Sequence, residues 1–257
     1  MATYNGEKYI SEQINSILKQ TYQNWILYIH DDGSSDNTLS IIKYFSQKYP
    51  SKIIFIEDGI KKLGAKNNFF HLIKYSKSKY LMFCDQDDFW LEDKIFLTFK
   101  KIKENEELDI NTPIVVYTDL SVVNKNLDII HRSFNKQKRI THPSSLEDIL
   151  ARNSITGCTL MFNRSLVNLL FFPRESIMHD WWIGIETLRN NGKIIYLDKP
   201  TILYRQHENN HIGVTNRKLF IKIFLFPFLF YRYYRQFKIS SDKNSFLFFI
   251  KFISSRL

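Results

Sequence analysis

Only two cysteines, Cys84 and Cys158, occur in 257 residues, one inside a strand-like run and the other in an apolar stretch. A disulfide framework is therefore excluded, and reduced, buried thiols point to a cytosolic setting. With 8 glycines and 6 prolines, no segment reads as a flexible linker, and no internal repeat is visible. No apolar run reaches the roughly 20 residues that a membrane-spanning helix needs. A secretory leader is not expected either, because Met1-Ala2-Thr3-Tyr4-Asn5 turns polar at once. Acidic residues are in deficit, 26 against 36 Lys and Arg, for a formal net charge of +10. The surplus is mostly local: residues 217–257 carry nine basic residues and one acid, Asp242, a local excess of +8. That placement argues for an anionic surface at one end of the molecule. The remainder, at 44% hydrophobic and 24% charged, is the composition of a folded chain long enough for one large α/β domain or a domain with an appendage.

The most informative motif is Asp85-Gln86-Asp87-Asp88-Phe89-Trp90. It follows Tyr80-Leu81-Met82-Phe83-Cys84, which has the length and bulk of a buried strand. Three carboxylates thus gather where such a strand ends, the edge at which open α/β sheets collect ligands. Asp85 and Asp87 lie two apart and can both turn into one cavity as the strand breaks into a loop. Oxygen ligands of this kind suit Mg²⁺ or Mn²⁺ rather than soft metals or structural zinc. Asp88 could instead cap a helix expected to begin near Leu91.

Strand-like and helix-like stretches alternate through the first hundred residues. Residues 7–20 place Ile10, Ile14, Ile17 and Leu18 at helical spacing, 25–29 reads as a strand, 38–49 as a helix, 52–56 as a strand and 67–76 as a helix. This βαβ order predicts a mostly parallel sheet. Further on, strands are expected at 114–119, 158–162 and 194–197, helices at 146–152 and 180–190, and a polar stretch reaching Arg139. The turn Asp31-Asp32-Gly33-Ser34-Ser35-Asp36 closes the 25–29 strand. Its carboxylates could accept hydrogen bonds from a base or a ribose, or the turn could serve only to cap the next helix.

Six motifs in this order resemble family 2 glycosyltransferases, and most of all their bacterial rhamnosyltransferase branch. They are Ala2-Thr3-Tyr4-Asn5-Gly6, the Asp31–Asp36 turn, Gly64-Ala65-Lys66-Asn67-Asn68-Phe69, the Asp85–Trp90 motif, His179-Asp180-Trp181-Trp182 and Tyr204-Arg205-Gln206-His207. The resemblance implies a GT-A fold, a Rossmann-like mixed sheet with flanking helices. It also implies a nucleotide-diphospho-sugar donor, a divalent Mg²⁺ or Mn²⁺, and inversion at the anomeric carbon.

Carried over by position, Thr3, Tyr4 and Asn5 would line the base pocket and Asp32 would contact the base. Asp85 would sit near the ribose and metal, and Asp87 would bind the metal. Asp180 matches the position that deprotonates the acceptor hydroxyl, and a helix N-cap is its alternative role. A late histidine contacts the metal in some relatives, which makes His207 a candidate third ligand, with an ordinary surface or core histidine as the alternative. Lys66 and Asn67 could reach the donor from a helix N-terminus. Arg205 could neutralise a phosphate or form a plain salt bridge. Trp90, Trp181 and Trp182 are candidates for stacking on the acceptor or donor sugar, or for the core.

The family's apolar first strand precedes the Ala2–Gly6 segment, and here Met1 stands where that strand should be finishing. The expectation is that the sequence is a truncated reading of a longer protein, the alternative being a sheet that lacks a core strand and exposes the edges of its neighbours, and low thermal stability is expected for residues 1–257. The GT-A domain is expected over residues 1–215 and a basic, aromatic, helical extension over 216–257. In that extension 219–234 and 246–253 are too short and interrupted to span a bilayer but suited to lying on an anionic membrane. Packing on the catalytic domain or in a homodimer is the alternative.

Together these features imply a cytoplasmic transferase, peripheral at the inner face of the cytoplasmic membrane, moving L-rhamnose from dTDP-rhamnose onto a growing polysaccharide or lipid-linked acceptor. A UDP-sugar donor (glucose, galactose or GlcNAc) is the nearest alternative. A catalytically silent glycan-binding scaffold is the more distant one. Nucleic-acid binding is not expected, since no binding motif accompanies the charge.

Overall fold

The structure, a computed structural model, describes residues 1–106 and 111–207 together with 231, 234–236 and 238. Most of the 219–234 patch and all of 246–253 lie outside the described residues. So does most of the 216–257 extension.

The first elements are β1 (Ala2–Thr3), α1 (Ile10–Leu18), β2 (Leu27–Asp31), α2 (Thr38–Lys48), β3 (Ile53–Phe55) and α3 (Gly64–Ile73). Ile10, Ile14 and Ile17, spaced four and three apart, bury one face of α1. The strands form a parallel sheet in the order β1-β2-β3. β4 (Tyr80–Met82), β5 (Phe89–Trp90) and α4 (Lys94–Glu106) follow. Next come β6 (Ile114–Val123), β7 (Ile129–His131), α5 (Phe134–Lys138), α6 (Leu146–Ala151), β8 (Leu160–Asn163), α7 (Arg164–Leu169), α8 (His179–Arg189) and β9 (Lys193–Arg205).

The second sheet has the order β4-β8-β6-β9-β5, with β7 paired to β6. Its pairings are antiparallel except β6 with β9. The mostly parallel expectation therefore holds only for the N-terminal sheet, and the fold is the mixed α/β arrangement that the resemblance implies. All ten residues of β6 are buried, because it lies between β8 and β9 with helices over it. That enclosure explains an apolar run without alternation.

β1 is two residues long. Ala2 pairs with His30 and Thr3 with Asp31, and the Met1 amine donates to the Tyr28 carbonyl at 2.6 Å. Burial pushes that amine down to about 6. Between β2 and β4 lies an apolar cavity of about 460 Å³, touched by Met1, Leu27, Leu81, Phe83 and Trp90. Among the described residues no helix is long and apolar enough to cross a membrane.

Candidate active site

A second cavity, about 860 Å³, opens where β1, β2 and β4 end. Thr3, Tyr4, Asp32, Asp85, Asp87 and Asp180 all line it, although they come from parts of the chain up to 177 positions apart. Its volume is that of a pocket for a ligand of nucleotide-sugar size.

The β2 turn is rigidly built. Asp31 accepts the Thr3 hydroxyl at 2.9 Å and the Gly33 and Ser34 N–H groups at 3.0 and 2.8 Å. Gly33 takes φ +96°, which its missing side chain permits. Asp32 accepts the Leu63 and Gly64 N–H groups at 2.7 and 2.8 Å, so its carboxylate holds the start of α3 while facing the cavity.

The β4 turn is the opposite case. Burial pushes the Asp85 carboxyl up to about 7, with help from the nearby charges of Asp87 and Asp180. Asp88 is fully buried, and neither of its oxygens has a partner in hydrogen-bonding geometry. Burial, then Asp87 and Asp85, drive its carboxyl well above the usual range, and the approach of the Cys158 thiol and the Arg205 backbone N–H offsets only part of that. Asp88 does not cap a helix, because α4 begins six residues later at Lys94.

One oxygen each from Asp85 and Asp88 and the Cys158 sulfur lie within 4.8 Å of one another. His207 Nε2 lies 2.9 Å from Asp87 Oδ2. The expected trio Asp85, Asp87 and His207 is thus not one such tight group among the described residues, but a pair beside a second cluster. Asp88, buried, has the buried Lys94 ammonium as a nearby cation, and Asp85 is half-buried; these carboxylates fit a divalent cation, which would supply further positive charge.

Asp180 sits in the first turn of α8, with 7% of its surface exposed. It accepts the Gly157 N–H at 3.0 Å, Asn153 Nδ2 at 3.2 Å and the Trp181 N–H at 2.6 Å. Burial raises its carboxyl to about 6 against those three hydrogen bonds. The N-cap position belongs to Met178, so Asp180 is not the cap.

Residues 1–170 match the sequence profile of Glycosyl transferase family 2. The chain belongs to this family. It is similar to dTDP-rhamnosyl transferase RfbG of Shigella flexneri, with 33% identity over 226 residues, 83% of this chain and 73% of that protein. It is also similar to UDP-Glc:alpha-D-GlcNAc-diphosphoundecaprenol beta-1,3-glucosyltransferase WfgD of Escherichia coli, with 30% identity over 195 residues, 75% of this chain and 69% of that one. Among solved structures, mannosyltransferase PcManGT from Pyrobaculum calidifontis in complex with GDP-Man and Mn²⁺ superposes with a TM-score of 0.63 at 16% identity. That match covers 99% of this chain and 67% of the other. S. aureus TarS 1-349 in complex with UDP-GlcNAc gives 0.61 at 21% identity, covering 98% and 69%; the chain spans 36% of the longer TarS structure. At these identities the structural likeness is one of fold, and the fold is GT-A.

In this family 2 glycosyl transferase several expected contacts fall elsewhere. Trp90, Trp181 and Trp182 do not line the cavity. They are core residues, 3%, 4% and 0% exposed. Trp181 and Trp182 donate their indole N–H groups to the Ile149 and Phe171 carbonyls, and Trp90 packs under Lys94, whose Nζ lies 4.7 Å from the ring centroid. The bulk of all three, and the indole donors of Trp181 and Trp182, are used in the core. Lys66 donates to the Arg174 and Ser176 carbonyls at 3.0 and 2.7 Å, which ties α3 to a loop. Asn67 donates back to the Leu63 carbonyl at 2.9 Å; its neighbour Asn68 faces the cavity.

Asn5 accepts the Ser35 N–H at 2.8 Å and braces the β2 turn rather than lining the cavity. Arg205 takes the salt-bridge alternative with Glu12 and donates to the Asp87 carbonyl at 3.0 Å, so it positions Asp87 from behind.

Three residues were not anticipated. Gln86 exchanges two hydrogen bonds with the Tyr4 backbone, both 2.9 Å, and so joins the first and fourth motifs. Asn153 and Gly157 hold the Asp180 carboxylate. A Cβ on Gly157 would stand 2.8 Å from His179 Nε2. No periodicity marks such residues; only the general preference of glycine for close approaches could have pointed to Gly157.

The described tail residues touch the main body. Arg235 pairs with Glu175 at 2.9 Å and Gln236 accepts the Ile177 N–H at 2.8 Å.

Proposed function

We propose that this glycosyl transferase moves L-rhamnose from dTDP-rhamnose, with inversion, onto a lipid-linked acceptor during synthesis of a bacterial cell-surface polysaccharide. The observation that carries the transferase chemistry is the convergence of Asp180 with Asp85 and Asp87 on one cavity that Thr3 and Asp32 also line. Similarity to the Shigella rhamnosyl transferase supports the donor. Similarity to the Escherichia coli glucosyltransferase supports the lipid-linked acceptor, and it also favours the second reading, a UDP-sugar donor.

In the proposed reaction the acceptor hydroxyl attacks the anomeric carbon from the face opposite the nucleoside diphosphate. The bond from that carbon to the phosphate oxygen breaks, the diphosphate leaves with the electron pair, and the hydroxyl proton passes to Asp180. A carboxylate raised to about 6 is ionised at neutral pH and still basic enough to accept that proton as attack proceeds. Its three hydrogen bonds fix the direction in which it faces.

Asp87 and His207, with Asp85 beside them, would hold Mg²⁺ or Mn²⁺. When bound, the ion supplies positive charge against the departing diphosphate. Arg205 keeps the Asp87 backbone in place. The cytoplasmic, membrane-peripheral setting follows from the same lipid-linked acceptor and the basic 217–257 segment.

The test is thermal shift with a panel of nucleotide sugars, with and without Mg²⁺ or Mn²⁺, followed by transfer assays on the donor that stabilises. Binding to the native state raises the melting temperature. Stabilisation by dTDP-rhamnose with metal, and product of inverted configuration, is the expected result. Stabilisation by a UDP-sugar alone would replace the donor, and a folded protein that no donor shifts would overturn the reading.

A further inference from the structure

A second set of metal-type ligands lies beside the cavity, behind Asn68, on residues that do not line it. His30 projects from β2 and is 1% exposed. Its Nδ1 is 2.7 Å from Asn68 Oδ1, and Asn68 Nδ2 donates to the His30 carbonyl at 3.2 Å. The second bond fixes which way the Asn68 amide points, so Nδ1 carries a hydrogen and Nε2 is the ring atom left for another partner. It lies 3.3 Å from Asp58 Oδ1.

Asp58 already accepts the Ile60 N–H on Oδ1 at 3.0 Å and the Tyr75 hydroxyl on Oδ2 at 2.6 Å. Its Oδ2 is 2.5 Å from Nε2 of His71 on α3. The three donor atoms, His30 Nε2, Asp58 O and His71 Nε2, lie within 4.8 Å of one another. Asp58 keeps 21% and His71 12% of its side chain exposed, which gives an ion a way in.

We propose that His30, Asp58 and His71 form a binding site for a borderline divalent metal such as Zn²⁺ or Co²⁺. Two imidazole nitrogens and one carboxylate oxygen are a donor set for such ions, with water completing the shell. The hydrogen bond from His30 Nδ1 to Asn68 is the kind of outer contact that fixes a ligating imidazole. The site joins β2, the segment after β3, and α3. Those same elements present Asp32 and Asn68 to the donor cavity, so a bound ion would clamp one wall of it. The site is independent of the transferase reading.

Titration of the metal-free protein with Co²⁺, in saturating Mg²⁺ to occupy oxygen-rich sites, tests it by optical absorption. One equivalent should bind with visible d–d bands free of any sulfur-to-metal charge transfer. His71→Ala should weaken that binding by about 10–100-fold, while Asp87→Ala should leave it unchanged. Circular dichroism of each variant verifies folding, and His71→Gln is the second variant should His71→Ala fail to fold. Absence of Co²⁺ binding by the folded wild-type protein, or a charge-transfer band placing the ion on Cys158, would overturn the assignment and leave the cluster as a hydrogen-bonded network.

Discussion

Two acidic turns close strands of this molecule, one after β2 and one after β4, and they treat the same side chain in opposite ways. Asp31 and Asp32 are covered by backbone and hydroxyl donors, so their charge is spent on holding a loop and a helix start. Asp88 is buried beside the half-buried Asp85 and Asp87, and neither of its oxygens has a partner in full hydrogen-bonding geometry. A carboxylate satisfied by N–H groups is architecture. A buried carboxylate with so little cover carries a cost that its own hydrogen bonds do not offset.

The contrast is sharpened first by the residue that faces both turns. Asp180→Asn keeps the shape of the site and removes the base, so kcat should fall about 10²–10⁴-fold with donor-induced thermal shifts retained. In the wild type, kcat/KM should lose about tenfold per pH unit below about 6, because Asp180 protonates there; that acid limb should vanish in the variant. Asp87→Ala should lower transfer about 10²–10³-fold and abolish metal-dependent donor stabilisation in the thermal-shift assay.

The two turns should then part in stability rather than catalysis. Asp31→Ala leaves its buried donors unpaired and should cost about 1–3 kcal/mol in urea unfolding. Asp88→Asn, in metal-free protein at pH 8, removes the cost of burying a carboxyl whose proton affinity is raised on folding and should raise the melting midpoint, by about 2–4 °C per kcal/mol relieved. A loss of several kcal/mol in Asp88→Asn would break the comparison, since it would mean that the carboxylate is well partnered.

The acidic turns were legible because their place at strand ends follows from chain order, and strand ends converge on one sheet edge. Longer helices were legible for a similar reason: Ile10, Ile14 and Ile17 mark a face that must be buried. What periodicity could not supply was direction and short-range detail. Asn67 and Asn68 differ by one step, about 100° around a helix, and only Asn68 turns to the cavity. The three tryptophans have a composition equally suited to a sugar platform or a core, and burial decided for the core. β5, β7 and α7, at two, three and six residues, are too short for a pattern to show. β9 runs 13 residues, past the four expected, because β6 and β5 offer it partners that no local signal announces.

Gln86 and Gly6 carry a consequence of another kind. The Gln86 carboxamide gives and takes one hydrogen bond with Tyr4, and a Cβ at Gly6 would lie 2.4 Å from its Oε1. A carboxylate could not donate, an asparagine would fall a methylene short, and any larger residue at position 6 would evict the amide. The two positions therefore share one joint between the first motif and the metal-type turn, and a side chain at position 6 would displace the Gln86 amide from the Tyr4 backbone.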